Sequence, residues 1–387
     1  MLPLCVRTLP HADRKTLCDD ETVHRRFRSP AACGFGKGLY MKIVVLAGGL
    51  SPERDVSLSS GSLIANALIE NGHDVLLLDL YLGYDGDAAQ AEFLNRSDSE
   101  RYSYTIPERE PDLEALKASS GNGRRLVGNG VLELCQRADV VFIALHGDIG
   151  ENGQLQAMFD VLGVCYTGTD YTGCLLAMDK DISKKLMAAN GISTAGWRSF
   201  PIRQQEECDF SQVRYPCVVK PCNGGSSVGV TMVDDADSLE EAIHAARVYE
   251  DQVIVEDRIF GREFSVGILN GEALPVIEVI PKEGFYDYKN KYQTGLTQEI
   301  CPAQLPDRLT RRLQESALAV HQLLRLGCYS RIDFMLDRNN QVYCLEANTL
   351  PGMTPTSLIP QEAEAAGISY PQLCERIVQQ AWSEKRA

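Results

Sequence analysis

The chain has 387 residues, 44% hydrophobic and 24% charged, which excludes a single-motif peptide, wholesale disorder and a fibrous repeat. Lys and Arg number 38 against 53 Asp and Glu, a formal net charge of −15 that opposes nonspecific attraction to nucleic acid or an anionic membrane and favours small-molecule ligands. No apolar run approaches the roughly 18 residues of a membrane span. The 13 cysteines lack C-x-x-C spacing, so reduced thiols in a cytoplasmic protein are expected and a structural zinc site is not.

Residues 1–40 carry seven basic and four acidic side chains without the apolar stretch of a signal peptide. Met41 then opens a buried-strand pattern, so Met41 is read as the native start and 1–40 as a disordered or non-native arm. Ile43–Ala47 reads as a strand, Gly48 to Arg54 as a turn, and the apolar spacing of Leu63, Ile64, Ala67 and Leu68 as a helix stopping at Asn71-Gly72. Val75–Leu80 and Val140–Leu145 supply further strands around a charged, Gly/Ser-rich insertion at 84–130. This alternation predicts an N-terminal parallel α/β layer. The first turn, AGGLSPE, is not G-x-G-x-x-G, and no G-x-x-x-x-G-K-[ST] occurs, so two common nucleotide-binding loops are absent.

A helix is expected over 175–191, then strands at Cys217–Lys220, Gly229–Val233 and Val253–Glu256 with a helix near 238–249. A long antiparallel stretch is expected from Glu263 to Ile280. The last third reads as helix 307–326, strands Ile332–Leu336 and Val342–Glu346 about a turn at 337–340, and a helix at 371–383.

Three constellations carry chemistry. In VVKPCNGGSSVG, Lys220 leaves a buried strand beside glycines whose bare amides can wrap phosphate oxygens; a plain glycine hairpin with a snorkelling lysine is the alternative. In RIDFMLD and YCLEANTLPG, Asp333 lies on one strand, while Glu346 and Asn348 lie two apart on the next and share a face. These oxygen donors suit magnesium, with surface charge at strand ends as the alternative. Arg331 shares that face and serves either as an anion stabiliser or as an ion-pair partner of Asp333. FYDYKNKYQTG, with Lys291 and Tyr292, reads as an active-site lid or a solvated loop. Glu53 and His146 occupy turns after strands, where α/β sheets place ligands, or are satisfied polar residues.

Together with ERDVSLSSG (53–61), ALHGDIGENGQLQ (144–156), YTGTD and AMDK, these motifs resemble, in order, the D-alanine–D-alanine ligase family of the ATP-grasp superfamily. The resemblance runs from Met41 to about Ala381. It implies a multidomain α/β and α+β protein: an N-terminal substrate-binding α/β domain over 41–168, then a two-part ATP-grasp fold with a central domain over 169–256 and a C-terminal domain over 257–387. It implies ATP-dependent joining of two D-alanines through D-alanyl phosphate for peptidoglycan precursor synthesis, with ATP and two magnesium or manganese ions.

By position, Lys180, Lys220 and Lys291 would contact phosphates. Glu256 with the backbone of Asp257 and Ile259 would hold adenine, and Glu263 ribose. The family often has a lysine where Asp257 stands, which backbone recognition tolerates. Asp333, Glu346 and Asn348 match the metal site. Glu53 would take the first D-alanine's ammonium near His146, and Glu53, Ser226 and Tyr292 would lock the lid. Arg331 and the Gly352 amide would stabilise the oxyanion, and Ser357 with Leu358 would anchor the second carboxylate at a helix N-terminus. A homodimer is a further implication. The rivals are a D-alanine–D-serine or D-alanine–D-lactate ligase, another ATP-grasp carboxylate–amine ligase, and a nonenzymatic nucleotide sensor.

Overall fold

Ile43, Val44, Val45 and Leu46 are buried on both faces, as a continuous apolar run requires of a central parallel strand. They form β1 (Lys42–Ala47), flanked in parallel by β2 (Asp74–Asp79) and β3 (Val140–Ile143) in the order β2-β1-β3. The computed structural model describes residues 39–107, 109, 111–202, 208–225, 227–282, 284 and 296–386. The turn after β1 needs glycine: Gly48 has φ +72°, and a Cβ there would lie 2.4 Å from the Asp79 carboxylate. Buried Arg54 opens α1 (Arg54–Glu70), donates to the Gly49 carbonyl at 2.7 Å and pairs with Asp79. The Ser57 hydroxyl accepts from the Gly48 amide and donates to the Ala144 carbonyl, tying the ends of β1 and β3 to α1.

The insertion at 84–130 contains α2 (Leu113–Ser120) and is followed by α3 (Val131–Arg137). After β3 come α4 (Asp148–Glu151), α5 (Gln154–Leu162), α6 (Tyr171–Met178) and α7 (Lys180–Ala189). The single helix expected over 175–191 is therefore two. Asp179 breaks it in an extended conformation, and its carboxylate caps α7 by accepting from the Ile182 amide at 2.9 Å.

The second sheet is antiparallel, ordered β4-β7-β5-β6, from β4 (Trp197–Pro201), β5 (Cys217–Pro221), β6 (Thr231–Val233) and β7 (Gln252–Asp257), with α8 (Leu239–Arg247) packed on it. The third contains β8 (Gly261–Leu269), β9 (Glu272–Ala273), β10 (Ile277–Pro281), β11 (Thr297–Ile300), β12 (Tyr329–Asp337) and β13 (Val342–Asn348). Its order is β11-β10-β8-β12-β13, with β9 on β8. The stretch expected to run from 263 to 280 is broken by a tight turn at Asn270-Gly271, both at positive φ. α9 (Asp307–Leu323) packs on β8 and β12.

The chain closes with α10 (Leu358–Ala365) and α11 (Tyr370–Arg386). Leu373, Cys374, Ile377 and Val378 of α11 join the core beneath the first sheet, so the C-terminus completes the N-terminal layer. The cysteines among the described residues are free. No helix of the described residues is long and apolar enough to cross a membrane.

Candidate active site

Two cavities meet between the sheets. The larger, about 500 Å³, is lined by Lys220 from β5, Glu256 and Asp257 from β7, Ile259, Glu263 from β8 and Asp333 from β12. The smaller, about 320 Å³, is lined by Glu53, His146, Arg331, Asn348, Gly352, and Ser357 with Leu358. Lys180, Gly224, Gly225 and Glu346 line both, so the glycine hairpin and one cation–carboxylate pair form the wall between them. Ser226, Lys291 and Tyr292 lie outside the described residues.

A three-charge cluster anchors the larger cavity. Glu256, 4% exposed, takes Lys220 on one carboxylate oxygen and Lys184 on the other, the latter at 2.9 Å. Burial pushes the Glu256 carboxyl up, but the two lysines outweigh it and hold it at about 2. Burial lowers Lys184, only partly offset by Glu256. Lys184 also donates to the Thr194 hydroxyl and sits over the Trp197 ring at 5.4 Å. Sequence reasoning passed over Lys184. Its signal was the four-residue spacing from Lys180, which puts both ammonium groups on one face of α7. Glu256, assigned by resemblance to adenine, lines the larger cavity with its carboxylate paired to both lysines. The Asp257 amide donates to the Gly196 carbonyl at 2.8 Å and its side chain pairs with Arg214.

Antiparallel pairing of β12 and β13 sets Arg331 opposite Asn348 and Asp333 opposite Glu346, bringing all four to one face. A bulge after Asp333 shifts the register, and Leu345 and Glu346 both line the larger cavity. Arg331 forms the ion pair with Asp333, Nε at 2.9 Å and Nη2 at 2.8 Å, and also lines the smaller cavity. Ser265 donates to Asp333 at 2.7 Å and Asn348 Nδ2 at 2.9 Å. Glu346 lies 3.7 Å from the Lys180 ammonium, which also donates to the Gly224 carbonyl. Among the described residues no three His, Cys, Asp or Glu side chains gather to hold a metal. Two carboxylates and an amide are a hard, incomplete oxygen set. That fits magnesium or manganese, which complete their shells with phosphate oxygens and water.

In the smaller cavity, His146 is buried, its Nδ1 3.2 Å from the Leu350 carbonyl and its Nε2 without a hydrogen-bond partner among the described residues. Burial lowers its pKa, keeping the imidazole neutral. Glu151, inside the ALHGDIGENGQLQ motif but not singled out from sequence, accepts from the Gly147 amide at 2.6 Å and the Leu350 amide at 3.3 Å. Burial and then the nearby Glu53 push its carboxyl up to about 7. The Ser357 hydroxyl turns to Thr354 rather than capping α10, which leaves the first-turn amides without a side-chain cap beside the cavity.

The family description "D-ala D-ala ligase N-terminus" matches residues 42–169, and "D-ala D-ala ligase C-terminus" matches 186–379. A D-alanine–D-alanine ligase of Pediococcus pentosaceus is 45% identical over 345 residues, covering 87% of this chain and 97% of the relative. One of Lacticaseibacillus casei is 41% identical over 349 residues, covering 87% and 95%. The crystal structure of the Bacillus anthracis D-alanine–D-alanine ligase complexed with ATP superposes with a TM-score of 0.68 at 27% identity, over 89% of this chain and 99% of that one. The fold and site define a multidomain α/β ligase of the ATP-grasp kind. The chain belongs to the D-alanine–D-alanine ligase family.

Proposed function

We propose that this protein joins two D-alanines into D-alanyl-D-alanine at the expense of ATP, through a D-alanyl phosphate, for peptidoglycan precursor synthesis. The observation that carries this reading is the junction of the two cavities at Lys180, Gly224, Gly225 and Glu346. There the terminal phosphate of a nucleotide in one meets the carboxylate of an amino acid in the other. Residues 41–168 supply the substrate-binding layer, and 169–256 with 257–387 the two parts that hold ATP.

A carboxylate is a poor electrophile, and phosphorylation gives it a leaving group. Lys180 and Lys220 offset the charge of the phosphates, Lys220 being aimed by Glu256. Glu263 takes the ribose, and the backbone near Asp257 and Ile259 takes adenine. Glu53 holds the ammonium of the first D-alanine, and His146 lies near that amino acid's carboxylate. At the N-terminus of α10, the Ser357 hydroxyl and the Leu358 amide hold the second carboxylate. When the second amine attacks the acyl phosphate, Arg331 and the Gly352 amide stabilise the tetrahedral oxyanion. Asp333, Glu346 and Asn348 would hold two magnesium or manganese ions, whose chemistry is to neutralise phosphoryl oxygens. Ser226, Lys291 and Tyr292 belong to the lid in this reading, which excludes water from the acyl phosphate. The resemblance further supports a cytoplasmic homodimer.

The test is ADP release and product analysis with D-alanine, L-alanine, D-serine and D-lactate. D-selective release with D-alanyl-D-alanine as the main product is expected. Release without D-selectivity, or a D-serine or D-lactate adduct as the preferred product, sinks the reading.

A further inference from the structure

The 84–130 insertion has no role in the chemistry above, yet one stretch of it reaches the amino-acid cavity. Tyr102 is clamped to α1 by a reciprocal pair: its amide donates to Asn66 Oδ1 at 3.0 Å, and Asn66 Nδ2 donates to its carbonyl at 2.8 Å. Its hydroxyl donates to the Val75 carbonyl at 3.1 Å. Two residues on, the Tyr104 hydroxyl donates to Asp55 in the first turn of α1. Two residues further, Ile106 lines the smaller cavity together with Val56, Ser59 and Leu63 of α1. Those three sit at i, i+3 and i+7, one stripe of the helix. The opposite side of α1, with Ile64 and Leu68, is in the core.

An extended chain advances about 3.3 Å per residue, so the Ile106 backbone lies within about 7 Å of that of Tyr104, whose hydroxyl is held by Asp55, two residues from Glu53. Ile106 is 43% exposed, a branched apolar side chain left wet at a cavity mouth while both tyrosines before it are tied down. Anchoring that segment costs chain entropy, and a bound substrate's alkyl group is what an apolar wall there would meet.

We propose that segment 102–107 is a specificity element for the first amino acid, with Ile106 as the wall that limits its side chain to about a methyl group and Tyr102 and Tyr104 as positioning residues. The inference rests on the ligase reading and adds to it the residue that sets side-chain size. A wall at the Glu53 end acts on the amino acid that becomes the N-terminal residue of the product. It leaves the acceptor, held at Ser357 and Leu358, unaffected.

The experiment uses the full chain and its Ile106→Ala and Tyr104→Phe variants, with D-alanine in competition with D-2-aminobutyrate, which is one methylene larger. A methylene in an apolar pocket discriminates by about tenfold or more. In Ile106→Ala the preference for D-alanine at the N-terminal position of the dipeptide should fall by about tenfold. Preference at the C-terminal position and the KM for ATP should stay as in the parent. Tyr104→Phe should raise the KM for the first D-alanine several-fold at constant kcat and constant KM for ATP, a split that general loosening of the fold would not produce. An active parent whose Ile106→Ala variant keeps the parental N-terminal preference, or loses preference equally at both positions, overturns the proposal. A parent that makes no dipeptide from D-alanine overturns the ligase reading and the proposal with it.

Discussion

Glu256 is a single buried charge on which both the stability of its site and the placement of Lys220 depend. Two lysines neutralise it in a site 4% exposed, and removing the anion leaves two buried cations facing each other. Breaking such a cluster costs about 3–5 kcal/mol, so Glu256→Gln should lower the denaturant midpoint by that equivalent at pH 7 and raise the KM for ATP as Lys220 loses its guide. The sign with pH follows from a folded pKa held down at about 2 against an ordinary 4.5. The native state binds fewer protons than the unfolded chain across that window, so stabilisation is complete above about 4.5 and fades as pH falls towards 2. Denaturant titrations should show the gap between parent and variant narrowing across that interval. Arg331 behaves differently. Its partner Asp333 keeps Ser265 and Asn348, so Arg331→Ala should stay folded, while on the proposed oxyanion role turnover should fall by about 10²–10³. Near-normal activity in that variant would remove Arg331 from the chemistry.

At the scale of elements, α7 depends on one cap. The Asp179 carboxylate holds the first turn, the Lys180 amide donates to the Cys222 carbonyl beyond β5, and the Lys180 side chain reaches Gly224 and Glu346. Asp179→Ala should cost about 1 kcal/mol in thermal unfolding and also raise the KM for ATP, because the cap aims Lys180, which the proposed function places on the phosphates. Unchanged ATP binding with the same loss of stability would confine Asp179 to the helix. This break was not legible in the sequence, since Leu175 to Met187 keeps helical periodicity through Asp179 and only the cap geometry separates the halves. The strands were legible wherever they are buried on both faces, as in Ile43–Leu46, and the shared face of Glu346 and Asn348 followed from a period of two. Neither the bulge after Asp333, the sharing of Glu256 between two lysines, nor the arrival of Ile106 at the cavity could be read this way. The last two depend on segments distant in sequence meeting in space and the bulge on the pairing register of two strands, and local periodicity records neither.

The whole molecule is closed by its last helix. α11 inserts Leu373, Ile377 and Val378 into the core that β1, β3 and α1 build some 300 residues earlier, and His73 meets Glu375 at 2.8 Å across the same seam. The same helix begins at Tyr370, whose hydroxyl donates to the Met353 carbonyl at 2.7 Å and so braces the loop that carries Gly352 past the smaller cavity. Stability of the first layer and placement of the Gly352 loop are therefore coupled through α11, although its side chains line neither cavity. Truncating a fully buried isoleucine costs about 2–5 kcal/mol, a large share of a domain's net stability of about 5–15. Ile377→Ala should accordingly lower the unfolding midpoint and speed hydrogen exchange at β1 amides, far away in sequence. Tyr370→Phe keeps the packing and should leave that exchange nearly unchanged while lowering kcat, because only the brace on Met353 is lost. If Ile377→Ala loosened α11 alone, with β1 still protected as in the parent, the two ends of the chain would be separate cooperative units and the coupling through α11 would be wrong.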